Sequence, residues 1–173
     1  YMERSNASKQ GEREEIMENY LQVLEKSLDK KMNVLQRIDA LCIKQEKILK
    51  AETMDEEEFD KSIEEKGELI EELTKLDKGF ESLYAHIKEQ LVAGKEKYKS
   101  QIAFMQKKIA QVTDIGVAIQ AQEARNKKLA EVYFANAKDE LKKGRRSSKA
   151  ALDYYRNMNK SQMISPQFMD KKK

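Results

Sequence analysis

The side chains that could perform acid–base, nucleophilic or metal chemistry are few in this 173-residue chain. His86 is the only histidine, so one chain cannot assemble a histidine-based metal cluster or a triad that contains histidine. Cys42 is the only cysteine, and it lies on an apolar helical seam where we expect a small buried side chain. The six glycines are scattered singly and form no phosphate-binding loop. The sequence therefore predicts no catalytic site, no metal site and no cofactor, and an enzyme is not expected.

The densest group of acidic residues, 56–58, is better explained as the start of a helix. Acidic side chains there meet the positive end of the helix dipole. Asp55 and Glu58 also have the spacing at which each side chain can accept a hydrogen bond from a free backbone N–H at a helix start. The paired carboxylate and histidine spacing of a di-metal helical bundle is absent from the sequence.

The overall composition is that of a long-helix protein. Charged residues make up 38% and hydrophobic residues 39%, with one proline and no tryptophan, which is typical of coiled coils and helical bundles. No apolar run approaches the ~20 residues of a membrane span, and residues 1–15 show no hydrophobic signal segment. A single cysteine fits a reducing compartment. A cytoplasmic location is therefore expected.

Apolar residues recur with alternating spacings of four and three along three stretches, which predicts three long helices. The first is expected over about 12–50. The second is expected to start after Asp55 and to end at Gly94 in a left-handed cap, and the third to start near Lys95. Short connections favour antiparallel neighbours. The predicted fold is all-α: an elongated antiparallel three-helix bundle, or coiled-coil hairpin, with a partly flexible C-terminal amphipathic segment.

The chain is expected to divide into three parts. Residues 1–11 are expected to be disordered or a cloning remnant, 12–143 to form the helical bundle, and 144–173 to form a separate client-binding segment. The seams of the bundle are formed by Met17, Leu21, Leu24, Leu28, Leu35, Ile38, Cys42 and Leu49, then Phe59, Ile63, Ile70, Leu73, Phe80, Tyr84, Ile87 and Leu91, then Tyr98, Ile102, Met105, Ile109, Val112 and Ile119. Lys31 and Gln45 interrupt the first of them.

The third helix becomes polar in its second half. Continuing the seam beyond Ile119 places Glu123 and Asn126 where apolar residues are expected, and residues 120–128 contain no large apolar side chain. One interpretation is that the helix extends past the shorter hairpin and is solvated there. The other is a polar layer that sets the helix register, or a docking surface for a partner. The sequence leaves both open.

The C-terminal segment, residues 144–173, differs from the rest of the chain. It holds eight basic and two acidic residues, whereas residues 1–143 hold more acidic than basic ones. If residues 147–160 are helical, Ala151, Leu152, Tyr155 and Met158 share one face. The segment either folds back over helices two and three or stays mobile until it is ordered on a partner helix.

Several of these features resemble the FlgN-type family of flagellar export chaperones. Residues 65–77 (EKGELIEELTKLD) resemble the helix-two pattern of that family, and the acidic helix start at 55–59 is similar to its counterpart. Asn126 followed by Leu129 in the third helix also resembles the family. The segment 144–173 is similar to that of some members, and the likeness extends from about Glu15 onward.

The resemblance implies a cytoplasmic, helical, non-enzymatic protein. Such chaperones hold hook-associated flagellar proteins and deliver them to components of the type III export gate without using ATP themselves. They capture the C-terminal amphipathic segment of the client with apolar grooves and with their own C-terminal portion. Covering a segment that is built to polymerise prevents its premature assembly.

We therefore predict that the apolar side chains of the C-terminal segment contact the client, and that deleting residues 144–173 abolishes capture. These predicted contact residues are Leu152, Tyr155, Met158, Met163, Ile164, Phe168 and Met169.

Two other functions are compatible with the sequence. One is a structural coiled-coil adaptor that dimerises and has no client; a homodimer is thus left open. The other is an electrostatic binder of anionic membrane or RNA through Arg145, Arg146, Lys149 and residues 171–173, whose affinity would fall steeply with salt. Because the segment also holds six Tyr, Met and Phe residues beside its charged ones, nucleic acid is not expected and membrane contact is expected to be indirect. A small-molecule substrate is not expected.

Overall fold

The computed structural model of the chain describes residues 2–137, 150, 151, 153–156, 168 and 169, with side chains described from residue 5 onward. It contains three long α-helices: α1 (Met2–Lys50), α2 (Glu56–Ala93) and α3 (Lys99–Asn136). The described residues of the C-terminal segment at 150, 151 and 153–156 are also helical. No strand occurs in the part of the chain that the structure describes. The predicted all-α bundle is therefore confirmed.

The three helices are arranged around α1, which packs against both of the others. Contacts such as Gln45 with Ser62 show that α1 and α2 are antiparallel, whereas Lys108 with Asp29 and Asn126 with Gln45 show that α1 and α3 run the same way. The backbones of α2 and α3 make no close contact with each other. Their side chains do meet, at Lys66–Glu123 and Phe59–Phe134. Tyr154 of the C-terminal segment also lies at this boundary, where it contacts Lys66 and Glu123. We call the boundary between the two helices the α2–α3 groove.

The predicted helix boundaries are partly right. The Asp55 side chain caps α2 by accepting a hydrogen bond of 3.2 Å from the Glu58 backbone N–H, as the spacing predicted. The prediction of a left-handed cap at Gly94 is wrong, because its φ is −97°. Glycine is required there by a close approach instead: a Cβ at position 94 would lie 2.9 Å from Cε2 of Tyr98.

Two helix starts also differ from the prediction. The first helix begins at Met2, ten residues before the predicted start, although residues 5–11 are exposed throughout. The third begins at Lys99, because residues 94–98 form a turn in which the Tyr98 N–H donates to the Gly94 carbonyl.

The predicted seams are buried, except at Ile109, which is partly buried, and they form two apolar clusters along the bundle. A buried pair, Lys31 of α1 and Asp77 of α2, lies between the clusters with its charged atoms 2.7 Å apart. Burial raises the pKa of the Asp77 carboxyl, and Lys31 opposes that rise. Because a slip of either helix would bury these two charges without each other, the pair fixes the α1–α2 register.

Candidate functional site: the α2–α3 groove and its buried polar layer

The polar residues in the second half of α3 lie inside the protein. Glu123 is 1% exposed and Asn126 is fully buried, so the interpretation of a solvated, overhanging helix is wrong for these residues. They are buried because polar side chains of α1 and α2 reach them at the same level. We call this group the polar layer; it consists of Cys42, Gln45, Ser62, Lys66, Gln122, Glu123 and Asn126.

Glu123 is the centre of the polar layer, and its Oε1 atom accepts three hydrogen bonds. The Lys66 ammonium donates to it over 2.5 Å, the Cys42 thiol over 2.6 Å and the Tyr154 hydroxyl over 2.9 Å. These donors come from α2, α1 and the C-terminal segment. A single carboxylate oxygen thus joins all four parts of the described structure.

Lys66 is the matching cation and is fully buried. Besides Glu123, its ammonium donates to Oε1 of Gln45 over 2.6 Å. It also lies 4.3 Å from the centroid of the Tyr154 ring, a cation–π contact. Tyr154 therefore contacts both charged groups: its hydroxyl donates to the Glu123 carboxylate, and its ring face lies against the Lys66 ammonium.

The remaining side chains of the polar layer satisfy one another. Asn126 donates from Nδ2 to the Cys42 carbonyl oxygen over 2.9 Å and accepts from Gln122 over 3.0 Å. Gln45 donates to the Ser62 hydroxyl over 3.1 Å. Buried polar groups are tolerated when they are paired in this way, and paired groups at one level specify which residues face each other.

The far end of the C-terminal segment returns to the same groove. The Phe168 ring lies 4.8 Å from the Tyr84 ring and 6.1 Å from the Phe80 ring, measured between centroids. The Met169 carbonyl oxygen accepts a hydrogen bond of 3.0 Å from Nε2 of Gln106. The segment therefore contacts both helices at two levels: Tyr154 contacts both at one level, and Phe168 and Met169 contact α2 and α3 respectively at the other.

Three of the predicted client-contact residues are engaged with the bundle in this structure. Tyr155 is buried in the apolar core, and Phe168 and Met169 are half-buried against it. The other four, Leu152, Met158, Met163 and Ile164, lie outside the described residues. That these side chains contact a client stays a prediction.

Sequence reasoning missed Tyr154, which makes the most specific contacts of the segment. The predicted apolar face comprised Ala151, Leu152, Tyr155 and Met158 and did not include Tyr154. In the structure Ala151, Tyr154 and Tyr155 are all buried. An i, i+3, i+4 pattern is the mark of a helix that packs between two neighbours, and applying it to the segment would have found Tyr154.

The described part of the C-terminal segment borders open space along α2. A cleft of about 800 Å³ is lined by α2 and by Ala150 and Tyr154. Its floor includes Ile63, Gly67 and Ile70, and its wall includes Ala150 and Tyr154. A Cβ added at Gly67 would meet no atom within 4 Å, so the cleft has free space at its floor.

Two polar atoms at the same level lack a partner. The second carboxylate oxygen of Glu123, Oε2, and the Tyr155 hydroxyl are buried and have no hydrogen-bond partner among the described residues. Leaving a buried polar atom unpaired costs about 1–3 kcal/mol. The fit of the segment to the groove is therefore incomplete in shape and in hydrogen bonding.

Burial sets the protonation state of the three weak acids at this level. It raises the pKa of the Cys42 thiol, with Glu123 adding to the rise and Lys66 opposing it. Burial likewise raises the pKa of the Tyr154 and Tyr155 hydroxyls, and the charge of Glu123 adds to both rises. Protonated groups can donate hydrogen bonds but cannot act as nucleophiles, so this arrangement is suited to packing and binding.

The described residues offer little to other kinds of site. No group of three or more His, Cys, Asp or Glu side chains among them is placed to hold a metal ion. His86 is exposed and lies against Tyr20, with the ring centroids 5.6 Å apart. The three described helices all lack the combination of length and apolar character that crossing a membrane requires.

Comparisons with protein-family models, with curated proteins and with solved structures find no match to this chain.

Proposed function

We propose that this protein is a non-enzymatic chaperone of the FlgN type, which binds the C-terminal amphipathic segment of hook-associated flagellar proteins and delivers them to the type III export gate. The observation that carries this proposal is the α2–α3 groove, where Tyr154, Phe168 and Met169 of the C-terminal segment already contact α2 and α3. The sequence resemblance of residues 55–59 and 65–77 supports the choice of family. The groove supports the proposed mode of binding.

The groove suits a helical segment for physical reasons. Its two borders, α2 and α3, are 38 residues each, or ~57 Å, which is long enough to accommodate a helical segment between them. The aromatic rings of Phe80 and Tyr84 line one level of it, and the polar layer lies at another. An amphipathic helix places apolar side chains into such a groove at intervals of three and four residues.

A chaperone role also accounts for the missing chemistry. The residues of the polar layer, above all Glu123, bind the helices and the C-terminal segment to one another. Capture of a segment requires apolar surface and a few polar anchors, which the groove contains.

The test is binding of the full chain to the C-terminal segments of hook-associated proteins, each fused to an inert carrier, by isothermal titration calorimetry. A saturable 1:1 complex with a negative heat-capacity change is expected, because apolar surface is buried. Client segments whose apolar face is replaced by Ser should not bind. Equal binding of the natural and Ser-substituted segments, or no binding by any of them, would contradict the proposed function.

A further inference from the structure

We propose that the α2–α3 groove binds one amphipathic segment at a time: its own C-terminal segment in the free protein, and an external segment with a hydrogen-bond donor at the level of Glu123 in the complex. This inference rests on the proposed function for the identity of the external segment. The occupancy of the groove in cis rests on the structure of this chain.

The docked C-terminal segment holds the position that a client would need. Tyr154 contacts Lys66 of α2 and Glu123 of α3, and Phe168 contacts Tyr84 of α2. With the segment docked, Ile63 and Ile70 at the floor of the remaining cleft are only 6% and 7% exposed. The cleft alone thus offers too little apolar surface to capture a helix, and a client must replace the segment to reach more.

The contacts of the C-terminal segment hold it in the groove, but they are incomplete enough for an external segment to replace it. The Tyr154 hydroxyl and ring anchor it at the buried ion pair. Against this, no described atom lies within 4 Å of a Cβ added at Gly67 on the floor of the cleft, and Glu123 Oε2 and the Tyr155 hydroxyl are buried without a partner among the described residues. A segment that fills the cleft and pairs the second oxygen binds better than the one supplied in cis.

These defects define the external segment chemically. It is an amphipathic helix with a large apolar side chain opposite Gly67. At the level of Glu123 it carries a side chain that donates a hydrogen bond, such as Tyr, Ser, Thr or Gln. A helix with only apolar residues at that level would bury the Glu123 carboxylate with fewer partners, so the groove would discriminate against it.

The cis interaction lowers the apparent affinity for any external segment. A ligand that binds only the open groove has its dissociation constant divided by the open fraction. Weakening the Tyr154 anchor raises that fraction without changing the walls of the groove. Because a tenfold change corresponds to a single hydrogen bond to a charged group, loss of the Tyr154 hydroxyl should raise the open fraction about tenfold.

The matched variants are Tyr154→Phe and Tyr155→Phe in the full chain. Each substitution removes one buried phenol oxygen and keeps the ring. Only the Tyr154 hydroxyl donates a hydrogen bond to Glu123. Opening is measured by the rate at which Cys42, the single cysteine, reacts with a thiol reagent, since its Sγ shares the Glu123 oxygen with Tyr154. We expect Tyr154→Phe to react about tenfold faster than the natural chain, and Tyr155→Phe no faster.

A second readout uses a fluorescent peptide of residues 144–173 added in trans. It should bind the Tyr154→Phe chain about tenfold more tightly than the natural chain, whose groove is occupied. A Tyr154→Phe peptide should bind that same chain more weakly than a Tyr155→Phe peptide. Equal Cys42 rates in the two variant chains, or equal binding of the peptide to the natural and Tyr154→Phe chains, would overturn the inference. Neither readout contains a client, so failure here is distinct from failure of the proposed function.

Discussion

The ammonium of Lys66 lies 2.5 Å from Oε1 of Glu123, and both side chains are sealed inside the bundle, at 0% and 1% exposed. The first belongs to α2 and the second to α3, two helices whose backbones make no close contact with each other. The pair therefore spans the floor of the α2–α3 groove. Tyr154 closes it from the C-terminal segment, which links the stability of the bundle to the occupancy of the groove.

Breaking this pair should be costly. Lys66→Met leaves Glu123 buried without its cation, which typically lowers the free energy of unfolding by about 3–5 kcal/mol. The measurement is urea denaturation followed by circular dichroism. The control is Lys44→Met in the exposed pair Lys44–Glu58, at 3.6 Å, where the loss should be below about 1 kcal/mol. Similar losses in the two variants would show that the buried pair has no special role.

Two glycines of α2 should respond in opposite directions to the same substitution. Gly67→Ala should raise the free energy of unfolding by about 0.5–1 kcal/mol, because the new Cβ meets no atom within 4 Å and alanine favours a helix. Gly94→Ala should lower it by about 1–3 kcal/mol, because its Cβ would lie 2.9 Å from the buried Tyr98 ring. Thermal and urea melts of the two variants measure this. A stabilised Gly94→Ala chain would refute the close-approach argument.

Stability should fall in alkaline solution, and Cys42 should contribute to the fall. In the unfolded chain the thiol ionises above its ordinary pKa of 9.0, whereas burial raises the pKa of the folded thiol. Its contribution is therefore complete below pH 9 and is lost as the pH rises above it, by at most ~1.4 kcal/mol per pH unit. Tyr154 and Tyr155 add a second decline above pH 10.

The Cys42 contribution is isolated with Cys42→Ala. Its free energy of unfolding, measured in urea at intervals from pH 8 to 10, should fall less steeply above pH 9 than that of the natural chain. The constant loss from the missing hydrogen bond and volume shifts the curve without changing its slope. Parallel curves for the two chains would mean that the folded thiol ionises as readily as the unfolded one.

The helices were predictable because their information is local. The spacing of Leu24 and Ile38 places both on one face of α1, and the spacing of Leu73 and Ile87 places both on one face of α2. All four are buried. The cap at Asp55 followed from a pattern of four residues. The prediction of a left-handed cap at Gly94 was wrong because the chain continues into the 94–98 turn, in which the Gly94 N–H donates to the Gln90 carbonyl and the Gly94 carbonyl accepts from the Tyr98 N–H.

The polar layer was not predictable because its pairing is long-range. Lys66, Glu123 and Gln45 are far apart in the chain, and each alone looks like a gap in a seam or a solvated residue. A polar residue in one seam can be recognised as part of a polar layer only when polar residues of the neighbouring helices are known to lie at the same level. The register that brings them together is fixed by all helices jointly, and Tyr154 depends on it as well.

Client binding should depend weakly on salt. Capture by apolar contacts and buried hydrogen bonds is little screened, whereas binding through Arg145, Arg146 and Lys149 would weaken steeply as salt rises. The dissociation constant for hook-associated C-terminal segments, measured by calorimetry between 50 and 500 mM salt, is expected to change by less than about threefold. A change of a hundredfold or more would support the electrostatic alternative.

The affinity of the Tyr154→Phe chain for a hook-associated C-terminal segment, compared with that of Tyr155→Phe, tests the account most directly. If the C-terminal segment occupies the client's place, Tyr154→Phe should bind the client up to about tenfold more tightly than Tyr155→Phe or the natural chain. If the segment is instead the part that grips the client, as its apolar residues first suggested, loosening it should weaken binding. Weaker binding by Tyr154→Phe would contradict the exchange of one segment for another in the α2–α3 groove.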